Sequence, residues 1–445
     1  MRDGQAEKNR LGVPERAKQG GEIHERWPWV EPTVWTERML TALEKGVKGG
    51  KWYSLIDKVY RPANLHAAFQ RVKENGGRAG VDHQTVEKFE EALEKNVDGL
   101  CGALREGTYR PQAVRRVWIP KPGSQERRPL GIPSVRDRVV QGALRHVLEP
   151  IFERDFAEHS YGFRPGRGCK DALRRAAELL RAGYTYVVDA DLKSYFDTIP
   201  HDRLMERVRE KVTDGRVLEL IEGFLNQRVM EALRSWIPER GTPQGAVISP
   251  LLANLYLDPL DHLMEENGFQ MIRYADDFII LCRSREEAER ALEIVQEWTT
   301  ANGLTLHPEK TRIVDATQAG GFDFLGYHFE RGYRWPRKKS LRKLKETIRA
   351  KTKRTNGHNL ETIIEDVNRT LKGWFGYFKH SHATTFPRLD SWVRMRLRSI
   401  LRKRHKGRGR GRGLDHQRWP NAFFAACGLF SLTAAYEAAC QSSRR

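Results

Sequence analysis

Tyr274-Ala275-Asp276-Asp277 sets two adjacent carboxylates between apolar runs, in the stretch FQMIRYADDFIILC. The alternation before them and the run Phe278-Ile279-Ile280-Leu281 after them predict two short strands about a tight turn. Like charges this close raise one pKa unless something positive lies between them. A divalent metal is the usual compensation. Taken alone, an acidic turn of this kind can equally be solvated surface.

A second acidic cluster lies upstream, in YTYVVDADLKSYFDTI. The run from Tyr184 to Val188 is rich in β-branched and aromatic residues and predicts a buried strand. Asp189 and Asp191, two residues apart, then fall on one face of the strand end. One carboxylate from here and two from the hairpin would make a compact three-carboxylate site. Such hard oxygen ligands suit Mg²⁺, which keeps positions for water and substrate phosphates. Two such ions, roughly 3.5–4 Å apart, activate an attacking hydroxyl and stabilise a leaving phosphate oxygen. Spacing alone does not bring the clusters together, and Asp189 and Asp197 can equally be surface charges.

Charge is unevenly spread. Of 78 Lys and Arg against 58 Asp and Glu in 445 residues, 26 basic and 5 acidic residues fall within 331–413. The rest of the chain is nearly neutral. Tyr333, Trp335, Trp374, Phe375, Tyr377, Phe378 and Trp392 interleave with the basic residues, a pattern suited to nucleic acid. Solvated helix faces over a local aromatic core would look similar. The five cysteines, Cys101, Cys169, Cys282, Cys427 and Cys440, form no C-x-x-C pair. This argues against a disulfide framework and against a Cys₄ zinc site. No apolar stretch approaches the roughly 20 residues of a membrane span. The charged start, MRDGQAEKNR, lacks an apolar signal core, and a cytoplasmic protein is the expectation.

The order of motifs is more specific than any one of them. YADD on a hairpin, after an Asp-Leu-Lys-x-x-Phe-Asp strand end, resembles a reverse transcriptase, and in particular the reverse transcriptase/maturase encoded by bacterial group II introns. RRPLGIPSVRDRVVQ (127–141), HSYGFRPGRGCKDAL (159–173), GTPQGAVISPLLANLYL (241–257), GLTLHPEKT (303–311) and GFDFLGYHF (321–329) resemble that family's successive blocks, in order. LKGWFGYFKH (371–380) resembles its helical maturase, or thumb, segment. The likeness covers about residues 50 to 405.

The resemblance implies an α+β right-hand polymerase: fingers, a palm with a mixed or antiparallel sheet, then an α-helical thumb/maturase domain. Its divisions would be an N-terminal extension at 1–110, fingers at 111–180, palm at 181–330, helical thumb at 331–405 and a basic joint with a short tail at 406–445. The tail would be either a small DNA-binding remnant or a packed helix, with no HNH nuclease domain. KGRGRGRGLDH (406–416) reads as a flexible joint or an RNA-contacting strand.

The resemblance also implies roles. Asp191, Asp276 and Asp277 would hold two Mg²⁺ ions, with Mn²⁺ as an alternative, and the Leu192 backbone carbonyl would add an oxygen. Phe196 would lie beneath the sugar of the incoming dNTP and exclude a 2′-hydroxyl; with the register off by one, Tyr195 takes that place. Lys121 and Arg128, flanking a turn at Gly123, would grip the triphosphate. Arg115 would stack on the template base and Gln244 would contact nucleotide and template. Lys310 would protonate the leaving pyrophosphate, or be a surface lysine. Phe324, Leu325, Gly326 and Tyr327 would form the primer grip. Arg402, Lys403, Arg404, Lys406 and Arg408 would meet nucleic acid. The partners would be group II intron RNA, an RNA template, a DNA primer or target and dNTPs, with no membrane. The function would be RNA-directed DNA synthesis with assistance to intron splicing and retrohoming. A host-domesticated reverse transcriptase, used in defence or repair, and an RNA-binding splicing factor with an unused palm are the rivals. Oligomeric state is not legible.

Overall fold

The computed structural model describes residues 23, 25–120, 127–232, 234–409, 411 and 413–442. Lys121 and Gly123 lie outside these residues.

Three sheets organise the chain. Strands β1 (Val114–Pro120) and β2 (Arg127–Ile132) form an antiparallel hairpin, extended by β4 (Val229–Glu231) and β5 (Arg234–Trp236) in the order β2-β1-β4-β5. The central sheet joins β3 (Tyr186–Asp191), β6 (Gln270–Tyr274), β7 (Asp277–Cys282) and β8 (Arg312–Asp315) in the order β6-β7-β3-β8, each pair antiparallel. A small sheet of β9 (Phe322–Phe324), β10 (Tyr327–Glu330) and β11 (Tyr333–Pro336) leads into the C-terminal helices.

The central strands read as apolar runs because both their faces are covered. Val188, Ala190, Phe278 and Ile280 join a large core with the Ser249–Glu266 and Arg285–Ala301 helices. Val187, Ile279 and Leu281 point the other way, to the Cys169–Arg181 helix and the small sheet. The helix predicted at 285–303 ends at Ala301, with Gly303 past it at φ +69°, the left-handed position that favours glycine. Ser284 caps its start by accepting from Glu287 N at 3.2 Å.

The N-terminal helices share the large core. Buried Asn64 donates to Ala143 O at 3.0 Å and Trp35 Nε1 to His146 O at 2.8 Å, tying residues before 70 to the Val135–Glu153 helix.

After Pro336 the chain is helical, in Lys338–Lys351, Leu360–Phe378 and Thr385–Arg404, around a third core. The described residues of the stretch expected as a flexible joint or an RNA-contacting strand fold back on the last of these helices. Gly411 N donates to Ser399 Oγ at 3.2 Å, and a Cβ on Gly407 or Gly411 would run into Arg402 or Arg398. Glycine permits this close backbone approach. The tail packs on these helices: Asp390 accepts from Leu432 N and Thr433 N at 3.0 Å each, and Trp419, Phe424 and Leu432 enter the third core.

Candidate active site

Antiparallel register sets Asp191 directly opposite Asp277. Period-two alternation then puts Asp189, Asp191 and Asp277 on the face of the sheet that carries Val187 and Ile279. Asp276 follows Ala275 in the two-residue turn closed by Tyr274 opposite Asp277. Ala275 has φ +60°. A non-glycine residue in this region costs about 1–3 kcal/mol and persists only where its surroundings over-determine it.

Those surroundings are specific. Arg273, fully buried, donates from Nε to both Asp261 oxygens at 2.8 and 2.9 Å and from one terminal nitrogen to Asn254 Oδ1 and Ala275 O, both at 2.9 Å. Its backbone pairs with His159 O and Tyr161 N. Asn254 donates to Gly162 O at 2.7 Å, and a Cβ on Gly162 would overlap the Ala275 backbone nitrogen. So the YGFRPG segment and a buried Arg-Asp pair clamp the acidic turn. Sequence reasoning assigned these residues no role. The available signal was a charged residue, Arg273, inside an otherwise apolar strand.

The electrostatics are those of an under-compensated acidic site. Burial first, then Asp189 and Asp276, push the Asp277 carboxyl up to about 7, against the opposing charge of Arg337. Burial and Asp191 raise Asp276. Burial raises Asp189 to about 6 despite Arg312, whose Nε lies 3.4 Å away. Asp189 is thus a half-buried member of the site's electrostatics, whereas it could have been a surface charge. Asp277 remains solvent-accessible, so an ion can reach it, while neighbouring protein crowds its carboxyl. Asp191 holds Lys310 Nζ at 2.7 Å. Among the described residues no three Asp, Glu, His or Cys side chains form a ready metal cage. Mg²⁺ does not need one, since it binds through one or two carboxylates, waters and substrate phosphates. The raised carboxyls and the all-oxygen donors fit such an ion. The Leu192–Leu306 bridge is made by Lys193 N to Thr305 O and His307 N to Asp191 O, so it leaves the Leu192 carbonyl unused.

Beside the carboxylates, Tyr195 and Phe196 have opposite surroundings. Tyr195 is 2% exposed, with its hydroxyl donating to Ala253 O at 2.6 Å. Phe196 is half-buried next to it. The GTPQG loop docks on this turn through Thr242 N to Phe196 O at 2.7 Å, and Gly241 at φ +91° comes too close to Asp197 for a side chain. Gln244 O accepts from Gly131 N at 2.7 Å, joining that loop to the β1–β2 hairpin. Arg128 lies opposite Ile119, so it shares a hairpin face with Arg115, exposed where Arg115 is half-buried. Arg115 Nε is buried without a hydrogen-bond partner among the described residues.

Burial and pairing divide two groups of the expected contact residues. The Phe324 and Tyr327 rings are buried in the second core, and the turn between them, Leu325 and Gly326, is partly open. That turn is held from the helical side, with Tyr377 Oη donating to Leu325 O at 2.7 Å and Ser340 Oγ to Gly326 O at 3.1 Å. Arg402 is not a free nucleic-acid contact. It pairs with Asp415 at 2.5 Å and donates to Arg408 O at 2.7 Å, closing the glycine-rich segment onto the helix. Arg404 is exposed but bonds to His358 O. Lys403, Lys406 and the Arg408 side chain remain exposed.

Residues 119–329 match the family model of reverse transcriptase (RNA-dependent DNA polymerase), and 341–419 match that of the group II intron maturase-specific domain. Fold and site thus define a member of the reverse transcriptase class. Protein YkfC of Escherichia coli (strain K12) is 33% identical over 297 residues, covering 57% of this chain and 76% of that protein. The group II intron-encoded protein LtrA of Lactococcus lactis subsp. cremoris is 38% identical over 203 residues, covering 45% of this chain and 33% of that one. The chain therefore matches about a third of LtrA's length. With the two domains in this order, the chain belongs to the group II intron reverse transcriptase/maturase family. Among the described residues no helix is long and apolar enough to cross a membrane.

Proposed function

We propose that the chain is an RNA-directed DNA polymerase that also binds its group II intron RNA, assists its splicing and supports retrohoming by target-primed reverse transcription. The observation that carries this reading is the Asp191–Asp277 cross-strand pair with Asp276 in the adjoining strained turn.

Asp191, Asp276, Asp277 and the Leu192 carbonyl would hold Mg²⁺. When bound, two such ions supply an activated primer 3′-hydroxyl and charge stabilisation on the leaving phosphate. The rest falls to the chain's own groups. Phe196 stands over the floor of the nucleotide site and excludes a 2′-hydroxyl. Gln244, fixed through its backbone to the fingers hairpin, orients nucleotide and template. Arg128, with Lys121, binds phosphate oxygens. Lys310, paired with Asp191 in the free protein, would place its ammonium near the site as a proton donor to pyrophosphate. The clamp of Arg273, Asp261 and Gly162 keeps the acidic turn from relaxing. The segregated positive charge of 331–413 supports RNA binding, since phosphate contacts by Lys and Arg dominate such affinity.

Extension of a DNA primer annealed to RNA tests the reading. Synthesis is expected with Mg²⁺ and dNTPs and is expected to cease with EDTA. Extension independent of metal, or none with any divalent ion, would overturn the site assignment.

A further inference from the structure

At the far end of β3 from Asp191 the central sheet and the C-terminal helices enclose a cleft of about 600 Å³. Thr185 lines it, six residues before Asp191, so it lies about 20 Å from the carboxylates at roughly 3.3 Å per strand residue. Polymerase chemistry does not use it.

Its walls are aromatic and basic: Arg181, Tyr333, Arg334, His380, His382 and Tyr436. Tyr333 is 56% exposed, a high value for a tyrosine, and its ring is braced edge-on by His382 at 4.9 Å. Tyr436, from the C-terminal helix, is stacked on Phe386 at 4.8 Å and half-exposed. Arg181 and Arg334 converge here, and neither forms an ion pair among the described residues. Burial and the charge of Arg181 lower the Arg334 pKa, and burial with Arg334, Lys379, Lys170 and Arg174 lowers that of His380, so the cleft sits in a positive field. Among the described residues Glu330 is the one acidic lining residue, and it is turned to His328 at 3.5 Å.

We infer that this cleft captures an unpaired RNA nucleotide, its base stacked on Tyr333 and its phosphate between Arg181 and Arg334. Single-stranded bases are bound by aromatic faces and arginines in this way. The volume lies within the range of about 300–1,000 Å³ usual for small-ligand sites, enough for a nucleotide and not for a duplex. The inference rests on the RNA-binding part of the proposed function and adds a second contact point, separate from the template cleft.

The test uses the full chain with its polymerase cleft saturated by an annealed RNA template–DNA primer hybrid. A labelled single-stranded RNA pentanucleotide is then titrated. Stacking contributes about 1–3 kcal/mol per base by alanine substitution. Tyr333→Ala is therefore expected to weaken pentanucleotide binding about tenfold or more, and Tyr333→Trp to retain it. Primer extension on the hybrid should stay within about twofold for both variants. Equal binding by wild type and Tyr333→Ala, or no pentanucleotide binding once the hybrid saturates, would overturn the inference. Failure of wild-type extension would instead count against the polymerase reading, which the pentanucleotide titration does not measure.

Discussion

Tyr195 and Phe196 are neighbours with opposite surroundings, and their substitutions should separate cleanly. Phe196→Ala is expected to narrow the preference for dNTPs over rNTPs more than it slows dNTP use, measured by competing single-nucleotide incorporation. An unchanged preference would make Phe196 a packing residue. Tyr195→Ala removes a buried ring and its bond to Ala253 O, and should cost about 3–5 kcal/mol of stability, as large aromatic truncations do. The carboxylates make a second prediction. Asp277 and Asp189, at about 7 and about 6, hold their protons more tightly folded than unfolded, the reverse of a salt-bridged carboxylate. Their contribution to stability is present below about pH 4 and is lost as pH rises through about 6 to 7. Mg²⁺ should relieve this repulsion only where the carboxylates are ionised. Thermal melting should therefore show a larger Mg²⁺-induced rise at about pH 7.5 than at about pH 5. An equal rise at both would contradict the account.

At the scale of elements, the acidic hairpin is held in place by segments far away in sequence. Gly162→Ala should push a methyl into the Ala275 backbone and shift the turn. Synthesis is expected to fall about a hundredfold or more, because misplacement by an ångström costs that much in oriented catalysis. RNA affinity should hold within a fewfold. Full activity in this variant would show that the turn has slack. In the basic helical region, the structure divides the charges. Combined Lys403→Glu, Lys406→Glu and Arg408→Glu should weaken RNA binding and flatten the log–log salt dependence by about 0.7 for each phosphate no longer neutralised. Arg402→Ala should instead lower the melting temperature, because it breaks the Asp415 pair and frees the glycine-rich segment. A melting temperature unchanged in that variant would return Arg402 to the RNA surface.

Across the whole molecule, what the sequence disclosed follows from how local each signal is. The strands around YADD and the helices after Lys338 announce themselves by periodicity, and the hairpin carboxylates lie beside each other in the chain. The meeting of Asp191 with Asp277 is a matter of register between strands more than 80 residues apart, which resemblance supplied and spacing could not. The clamp of Arg273, Asp261, Asn254 and Gly162 was hard to read because its members lie far apart in the chain and only Arg273, a charge within an apolar strand, carries a local signal. Arg402 could not be told from its neighbours, because a basic run looks the same whether its charges face solvent or an aspartate 13 residues on. The glycines of 407–413 looked like flexibility, yet Gly407 and Gly411 are where the segment packs against its helix.

The central claim is that DNA synthesis resides in the carboxylate site and RNA binding in the basic helical region. Asp276→Asn tests it most directly, assayed in parallel for primer extension on RNA and for binding and low-Mg²⁺ splicing of the intron RNA. The substitution removes a ligand's charge and keeps its shape, and leaves residues 331–413 untouched. Extension should fall by orders of magnitude, since metal catalysis supplies several kcal/mol of transition-state stabilisation. RNA affinity and splicing should stay near wild type. Undiminished extension, or a parallel loss of both activities in a protein that still melts like wild type, would contradict the account.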